Sequence, residues 1–347
     1  MKSKEPLLKH SQKLSENGFT IVELLVVIVV IGILAAITIV SYTGITQKAV
    51  ASSLQSDLSN ASQQLKIFQI ENSAYPTANN CPAPTTGEIC LKSSSGAVYD
   101  YKYNNISSSQ SFCISEAKNN QVYRVTQADK PLIGGCIVSS GLAMHFDATN
   151  GSSYSGNKLI DLSGYGNDGT IVSGVTYDSN ESGTLIFDGS SYISVPNFLN
   201  QTTIGQEWTI GALVKIDSTA PVAAQKLINF NSGAYLVYAN TSKLLLYLNS
   251  ATNDYYDYGN FNLRDGKWHV VYFVFQNSIA KREIYVDDID VSTTGPNLTS
   301  VPSGLPATFN IGEGLVGKIN DVHVYDRALN SAEIQQNFNA LRVRYGL

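Results

Sequence analysis

Residues 24–37 carry no polar side chain, and tolerating Thr38 extends the apolar run to Val40. As a helix, residues 19–40 rise about 33 Å, enough to cross the roughly 30 Å hydrocarbon core of a bilayer. Eleven of the 17 residues in 24–40 are β-branched, which by propensity alone favours a strand. Length decides for the helix. A lone strand in lipid leaves its backbone unpaired, whereas a helix satisfies its own N–H and C=O groups. A cleavable secretory signal fits poorly, because the run exceeds the usual apolar region and no small-x-small site follows it. The natural break lies before the run, at Gly18.

The rest of the chain is not membrane-like. Mean hydropathy close to zero excludes a polytopic membrane protein, and 43% hydrophobic residues exclude a mostly disordered chain. A formal net charge of −5 argues against a general nucleic-acid binder, so no nucleic-acid partner is expected. Cys81, Cys90, Cys113 and Cys136 form an even cluster without a C-x-x-C spacing or an intervening histidine. That pattern reads as two disulfides, not zinc, and places the segment outside the cytoplasm. Three connectivities are possible. Cys81–Cys90, closing a Pro-rich loop, with Cys113–Cys136, tying two strands, is favoured.

Glu23 is the odd residue beside the apolar run, because a carboxylate at the start of a membrane helix is costly unless paired. Cleavage after Gly18 gives Phe19 a new α-amine, which supplies that partner on the same chain or a neighbour. The stretch Gly18-Phe19-Thr20-Ile21-Val22-Glu23, with Leu24-Leu25 and Gly32-Ile33-Leu34-Ala35-Ala36-Ile37, resembles the processing signal of type IV pilins and pseudopilins. The resemblance implies cleavage by a prepilin peptidase, methylation of the Phe19 amine, and polymerisation with other pilin subunits and assembly machinery, with Glu23 guiding assembly. Val40 stands where many pilins have a helix-kinking proline, so a straighter helix is expected. Loss of residues 1–18, with four lysines and two glutamates, takes the net charge from −5 to −7.

Beyond Tyr42 the pattern turns amphipathic. Val50, Leu54, Leu58, Ala61, Leu65 and Phe68 form one stripe at helical spacing, ending before Tyr75-Pro76. The stripe predicts packing against a sheet, since the charges a free coiled coil wants are missing. Residues 97–103, 111–115, 121–126 and 132–138 alternate like short strands, with residues 117–120 as a hairpin turn. Residues 19–140 thus read as an α+β pilin-like domain: a long N-terminal helix, its membrane and assembly part at 19–42, plus a small antiparallel sheet.

Residues 141–347 carry turn signals every 8 to 15 residues between alternating runs such as 208–216, 268–275 and 318–325. Many short strands and one late helix predict an all-β sandwich. Asn330 with Glu333 forms a capping box for that helix, and Ile334, Phe338 and Leu341 give it an apolar face. Phe187-Asp188-Gly189, Trp208-Thr209-Ile210, Asp265-Gly266-Lys267-Trp268-His269-Val270 and Gly317-Lys318-Ile319-Asn320-Asp321-Val322 together resemble laminin-G-like, concanavalin A-like lectin/glucanase domains. That resemblance implies a jelly roll of two antiparallel sheets, glycan or protein binding, and often a structural calcium. Leu213 departs from it, standing where many relatives have tryptophan.

No catalytic constellation emerges. Glucanase relatives place three carboxylates on one strand face, but Glu283, Asp287, Asp288 and Asp290 have the wrong spacing, and Asp287-Asp288 reads as a hairpin turn. A Gly-x-Ser-x-Gly elbow, His-Glu-x-x-His and a Walker loop are all missing. For calcium, Asp188 and Asp321 are the expected ligands; the competing reading is that Asp188 caps its own turn and Asp161 pins the 163–167 loop. Trp208 and Trp268 read as core. Tyr255, Tyr256 and Tyr258, among acidic residues in an apparent loop, are the expected contacts to a glycan or protein ligand. The sequence reading is therefore a non-enzymatic, pilin-like filament subunit, anchored as a single pass before assembly and then surface-exposed, carrying a lectin-like adhesive domain. A 207-residue appendage on every subunit would crowd a filament, which points to a minor subunit. The alternatives are a pseudopilin of a type II secretion or DNA-uptake machine, and a membrane-tethered glycan hydrolase.

Overall fold

The computed structural model describes residues 20–94, 96–105, 110–127, 129–180, 183–196, 207–221, 225–230, 234–239, 243–247, 255–276, 281–292 and 308–347. Gly18 and Phe19, expected to flank the processing site, lie outside the described residues. One helix, α1, runs Ile21–Asn72 and passes through Val40 without interruption, in keeping with the absence of proline there. Every described side chain between Ile21 and Ile39 is exposed, as a helix dressed for lipid or for other helices requires. The chain forms two compact units, Met1–Ala49 and Val50–Leu347.

Within the second unit, α1 buries the predicted stripe. Leu58, Ala61 and Leu65 pack with Tyr75, Leu91, Tyr99, Phe112, Ile114 and Val125 into one core. Those partners come largely from a four-stranded antiparallel sheet made of Asp100–Asn104, Ser111–Lys118, Gln121–Thr126 and Leu132–Ile133. The turn between its second and third strands has Asn119 and Asn120 at φ 50° and 61°, the left-handed pair that a tight hairpin demands. Ser73 at φ 59° stops α1, just ahead of Tyr75-Pro76. The disulfides are Cys81–Cys90 and Cys113–Cys136.

The following residues form a sandwich. Among the described residues one sheet has eight strands and the other nine. The first is centred on the long antiparallel partners Glu207–Ile216, Trp268–Gln276 and Val316–Tyr325, with Leu142–Asp147 beside the last. Alternation sends Ile210, Ala212 and Val214 inward to meet Phe230, Phe309 and Ile311 of the other sheet in the main core. Trp208 stacks on Phe275 at 5.1 Å and Trp268 on Tyr345 at 4.0 Å, both as packing residues.

The outward face of the eight-stranded sheet is not left to water. Leu213, Val270, Tyr272, Tyr325 and Val138 pack there against the second helix, α2 (Ser331–Arg342), through Ile334, Phe338 and Leu341. Asn330 accepts from the Glu333 N–H while the Glu333 side chain accepts from the Asn330 N–H, the capping box read from the sequence. Two strands differ from expectation: residues 132–138 pair only over Leu132–Ile133, and Tyr255–Asn260 is a strand, not a loop. It pairs with Lys243–Tyr247 at the end of the nine-stranded sheet. Tyr-rich acidic composition hid it, because the alternation is in backbone pairing and not in polarity.

Replacing Cys113 and Cys136 together by serine opens a link of sequence separation 23. Loop-closure entropy predicts a loss of about 3 kcal/mol, read as a lower urea midpoint with a slightly steeper slope, since the uncrosslinked unfolded chain exposes more surface.

Candidate functional site

Asp147 and Asp321 stand opposite each other on neighbouring strands, and His145 and His323 form the next outward pair. Period-two alternation puts all four on the outward face of the eight-stranded sheet. There they meet Arg124 from the small sheet and Arg344 from beyond α2. Arg344 grips Asp147 with two parallel bonds of 3.0 Å each, Nη1 to Oδ1 and Nη2 to Oδ2, the planar fork that arginine is shaped for. Its Nη1 also donates to Asn320 at 2.8 Å and Asp321 at 3.3 Å. Arg124 Nη2 donates to the same Asp147 Oδ2, and its Nη1 to the Ile133 carbonyl at 3.4 Å. Arg344, Asp147, Asp321 and His323 have side chains at most 1% exposed.

Two glycines make the cluster possible. Gly211 lies between Tyr272 and His323 in cross-strand register, and a Cβ there would collide with both side chains. Its bare backbone lets the Tyr272 hydroxyl bond His323 Nε2 at 3.0 Å. Gly134, at φ +117°, passes its backbone beside both guanidinium groups, where a Cβ would meet Arg124 at 3.0 Å and Arg344 at 3.3 Å. A neutral clamp closes the far end. Asn337 accepts from the Val138 N–H at 2.7 Å and donates to the Tyr325 hydroxyl, which donates to the Val138 carbonyl. Each half of the unit thus supplies donors or acceptors that the other cannot complete alone.

The electrostatics follow from burial and pairing. Burial alone would raise Asp147, but Arg344 and Arg124 hold it below the usual carboxylate range. Asp321 is likewise held well below despite burial, by His145, His323 and Arg344. Burial keeps His323 neutral, pushing it below the ordinary histidine value although Asp321 pulls the other way. His145, Asp147 and Asp321 have the ligand types of a metal centre. However, two arginines already balance the two carboxylates, and the Asp321 oxygens carry His145 at 3.1 Å, His323 at 2.7 Å and Arg344. A hard cation with several oxygen ligands does not suit that donor set.

The expected calcium ligands are not brought together. Asp188 pairs with Val316 and Asp321 lies five residues further along the same strand, about 17 Å away. Asp188 accepts at one oxygen from the Ser190 and Ser191 N–H groups, which lowers it to about 2, so it caps its own turn. Asp161 accepts from the Ser163 and Asn167 N–H groups and pins that loop. Tyr255, Tyr256 and Tyr258 lie on the strand at the end of the nine-stranded sheet. Asp287 and Asp288, at φ 50° and 63°, form a hairpin turn, and Asp287 bonds His269 instead of facing a partner carboxylate.

Sequence reasoning missed the buried cluster. Its members alternate with core residues, a pattern that does not tell a covered polar face from a solvated one, and the packing of α2 and the small sheet covers them. It also missed a second role for Glu23. The carboxylate accepts from the Thr20 N–H at 2.8 Å while Thr20 Oγ1 accepts from the Glu23 N–H at 3.2 Å. The Thr20-x-x-Glu23 spacing of a capping box was legible.

Comparison with known proteins agrees with both ends of the chain. Residues 13–39 match the prokaryotic N-terminal methylation motif, and residues 187–335 match the concanavalin A-like lectin/glucanases superfamily. The type II secretion system core protein G of Dickeya chrysanthemi is 37% identical over 62 residues, 18% of this chain and 40% of that protein. That of Aeromonas hydrophila is 36% identical over 66 residues, 19% of this chain and 46% of that protein. The chain thus spans less than half the length of these curated relatives. Among solved structures, domain 4 of a GH43 extracellular arabinanase from Geobacillus stearothermophilus aligns at TM-score 0.46 and 18% identity, over 58% of this chain and 98% of that one. The botulinum neurotoxin serotype D ligand-binding domain aligns at TM-score 0.46 and 17% identity, over 59% and 52%. The chain joins a pilin-type or pseudopilin-type N-terminal helix to a lectin-like β-sandwich.

Arg344→Ala strands Asp147 and Asp321 in a buried site, so unfolding should show a loss of about 3–5 kcal/mol. Stability should also fall on acidification. The unfolded chain takes up His323's proton below about pH 6.5 and those of Asp147 and Asp321 below about pH 4, while the folded chain resists. His269 acts oppositely. Burial disfavours its charge, but Asp287 and Asp265 at 2.6 and 3.2 Å outweigh that and raise it. Its contribution is complete below about pH 6.5 and lost as pH rises through the raised value. Urea titrations of His269→Gln should therefore lose the alkaline-side decline and keep the acid-side one.

Proposed function

We propose that the protein is a minor subunit of a pilin-like surface filament that presents the sandwich as an adhesive module for a surface glycan or protein. The observation that carries this reading is the fully exposed apolar helix of Ile21 to Ile39 on a chain whose lectin-like sandwich is locked to the small sheet by the Asp147 cluster. In this reading Gly18–Phe19 is cut by a prepilin peptidase, the Phe19 amine is methylated, and Glu23 exchanges its Thr20 cap for a neighbour's amine during assembly. Tyr255, Tyr256 and Tyr258 supply ligand contacts from the end of the nine-stranded sheet. The chain is read here as non-enzymatic; among the described residues, Asp147 and Asp321 face each other across neighbouring strands but are engaged by arginine and histidine.

The core protein G relatives favour a second reading, a pseudopilin within a type II secretion machine, in which the sandwich docks machine parts or cargo. Shearing cells and probing the released filaments with an antibody to the sandwich separates the two. Surface filaments containing the protein support the adhesin reading; retention in the envelope supports the pseudopilin. In either case Glu23→Leu should leave the chain membrane-bound and reduce its incorporation at least tenfold.

A further inference from the structure

A cleft of about 270 Å³ opens between the small sheet and the sandwich, on the same junction as the Asp147 cluster, whose Arg124, His145 and Arg344 form part of its lining. One wall comes from Asp100–Asn104 and Gln121–Thr126 and the residues just after, the other from the segments around Leu142 and Ile160. The walls combine three kinds of surface. Leu142, Ile160 and Leu162 are apolar and half-buried. Tyr103 is 40% exposed at the rim and stacks on Tyr101 at 6.0 Å, which fixes its ring. Gln127 and Asp129 supply polar groups.

These polar groups are oriented, not loose. Gln127 accepts from the Phe112 N–H at 3.3 Å, which fixes its amide and leaves the NH₂ without a protein partner among the described residues. Asp129 accepts from the Thr126 N–H at 2.6 Å and, across the cleft, from the Asn150 amide at 3.0 Å. Each carboxylate oxygen keeps a lone pair for one more donor. The two arginines in the lining, Arg124 and Arg344, are already committed to Asp147. At the rim Lys102 is paired with Asp100 at 3.0 Å. The cleft therefore holds no uncompensated positive charge for an anion.

We propose that this cleft binds one neutral sugar residue bearing an apolar substituent, such as an acetamido or 6-deoxy sugar. The volume lies just below the roughly 300 Å³ at which ordinary ligand pockets begin, which suits a single ring and not an extended chain. The C–H face of a pyranose meets the face of Tyr103, whose ring presents negative charge to C–H edges. Ring hydroxyls donate to Asp129 and accept from the Gln127 NH₂, and the methyl group enters among Leu142, Ile160 and Leu162. The proposal rests on the adhesin reading only in taking a glycan as ligand, and its site is separate from Tyr255, Tyr256 and Tyr258.

The test is calorimetric titration of the full chain in detergent micelles with N-acetylglucosamine, N-acetylgalactosamine, fucose and rhamnose, with glucose as the unsubstituted control. The expected result is saturable binding of at least one substituted sugar. Tyr103→Ala and Gln127→Glu, the latter keeping an acceptor for the Phe112 N–H while removing the NH₂, should each weaken it at least tenfold, and the Tyr255/Tyr256/Tyr258 triple alanine should leave it unchanged. No binding by any substituted sugar overturns the cleft, while the adhesin reading still stands or falls on the sheared filaments. Binding that survives both cleft variants, or that is lost only in the triple alanine, also overturns it.

Discussion

Asp147 is a fully buried carboxylate held by two arginines that approach from opposite parts of the chain. A lone charge at that depth would be untenable, and even a single pairing seldom offsets the lost hydration. The carboxylate is tolerable because both of its oxygens are multiply hydrogen-bonded: Arg344 forks onto both oxygens, Arg124 takes the second oxygen again, and the Thr149 N–H donates to the first at 3.0 Å. One partner belongs to the small sheet, one follows α2, and the carboxylate belongs to the sandwich. Separation of any of the three leaves a naked charge behind. The small sheet and the sandwich are consequently parts of one compact unit and not beads on a linker.

That constraint explains several local choices. Gly211 and Gly134 occur where side chains would collide with the cluster. Asn337, on a helix whose other inward residues are apolar, is buried because it bridges Val138 and Tyr325. The Cys113–Cys136 bond ties the small sheet to the segment that leads into this junction. Covalent, apolar and ionic links thus converge on the same few residues. The cleft beside them exists because the two halves are held at a fixed spacing at one end, with Asp129 and Asn150 bridging at the other.

Periodicity made much of the fold legible. The stripe from Leu54 to Leu65 predicted the buried face of α1, Asn330 and Glu333 predicted the start of α2, and the spacing of the cysteines favoured the observed pairs. Alternation located the long strands to within a residue or two. It failed where side-chain polarity carried no alternation, at Tyr255–Asn260. It is silent where a polar face is covered by another element, as at His145, Asp147, Asp321 and His323. A strand reports which residues share a face, but not whether that face meets water, and that depends on elements distant in sequence such as Arg344. The calcium expectation for Asp188 and Asp321 drew on the same kind of local signal: turn motifs mark carboxylates without showing which other donors already occupy them.

Ionic links shared across the Asp147 junction require the small sheet and the sandwich to fold cooperatively. Differential scanning calorimetry of the full chain in micelles tests this most directly. A single transition for the Val50–Leu347 unit, with equal calorimetric and van't Hoff enthalpies, is predicted. Two separable transitions, one for the small sheet and one for the sandwich, would contradict it.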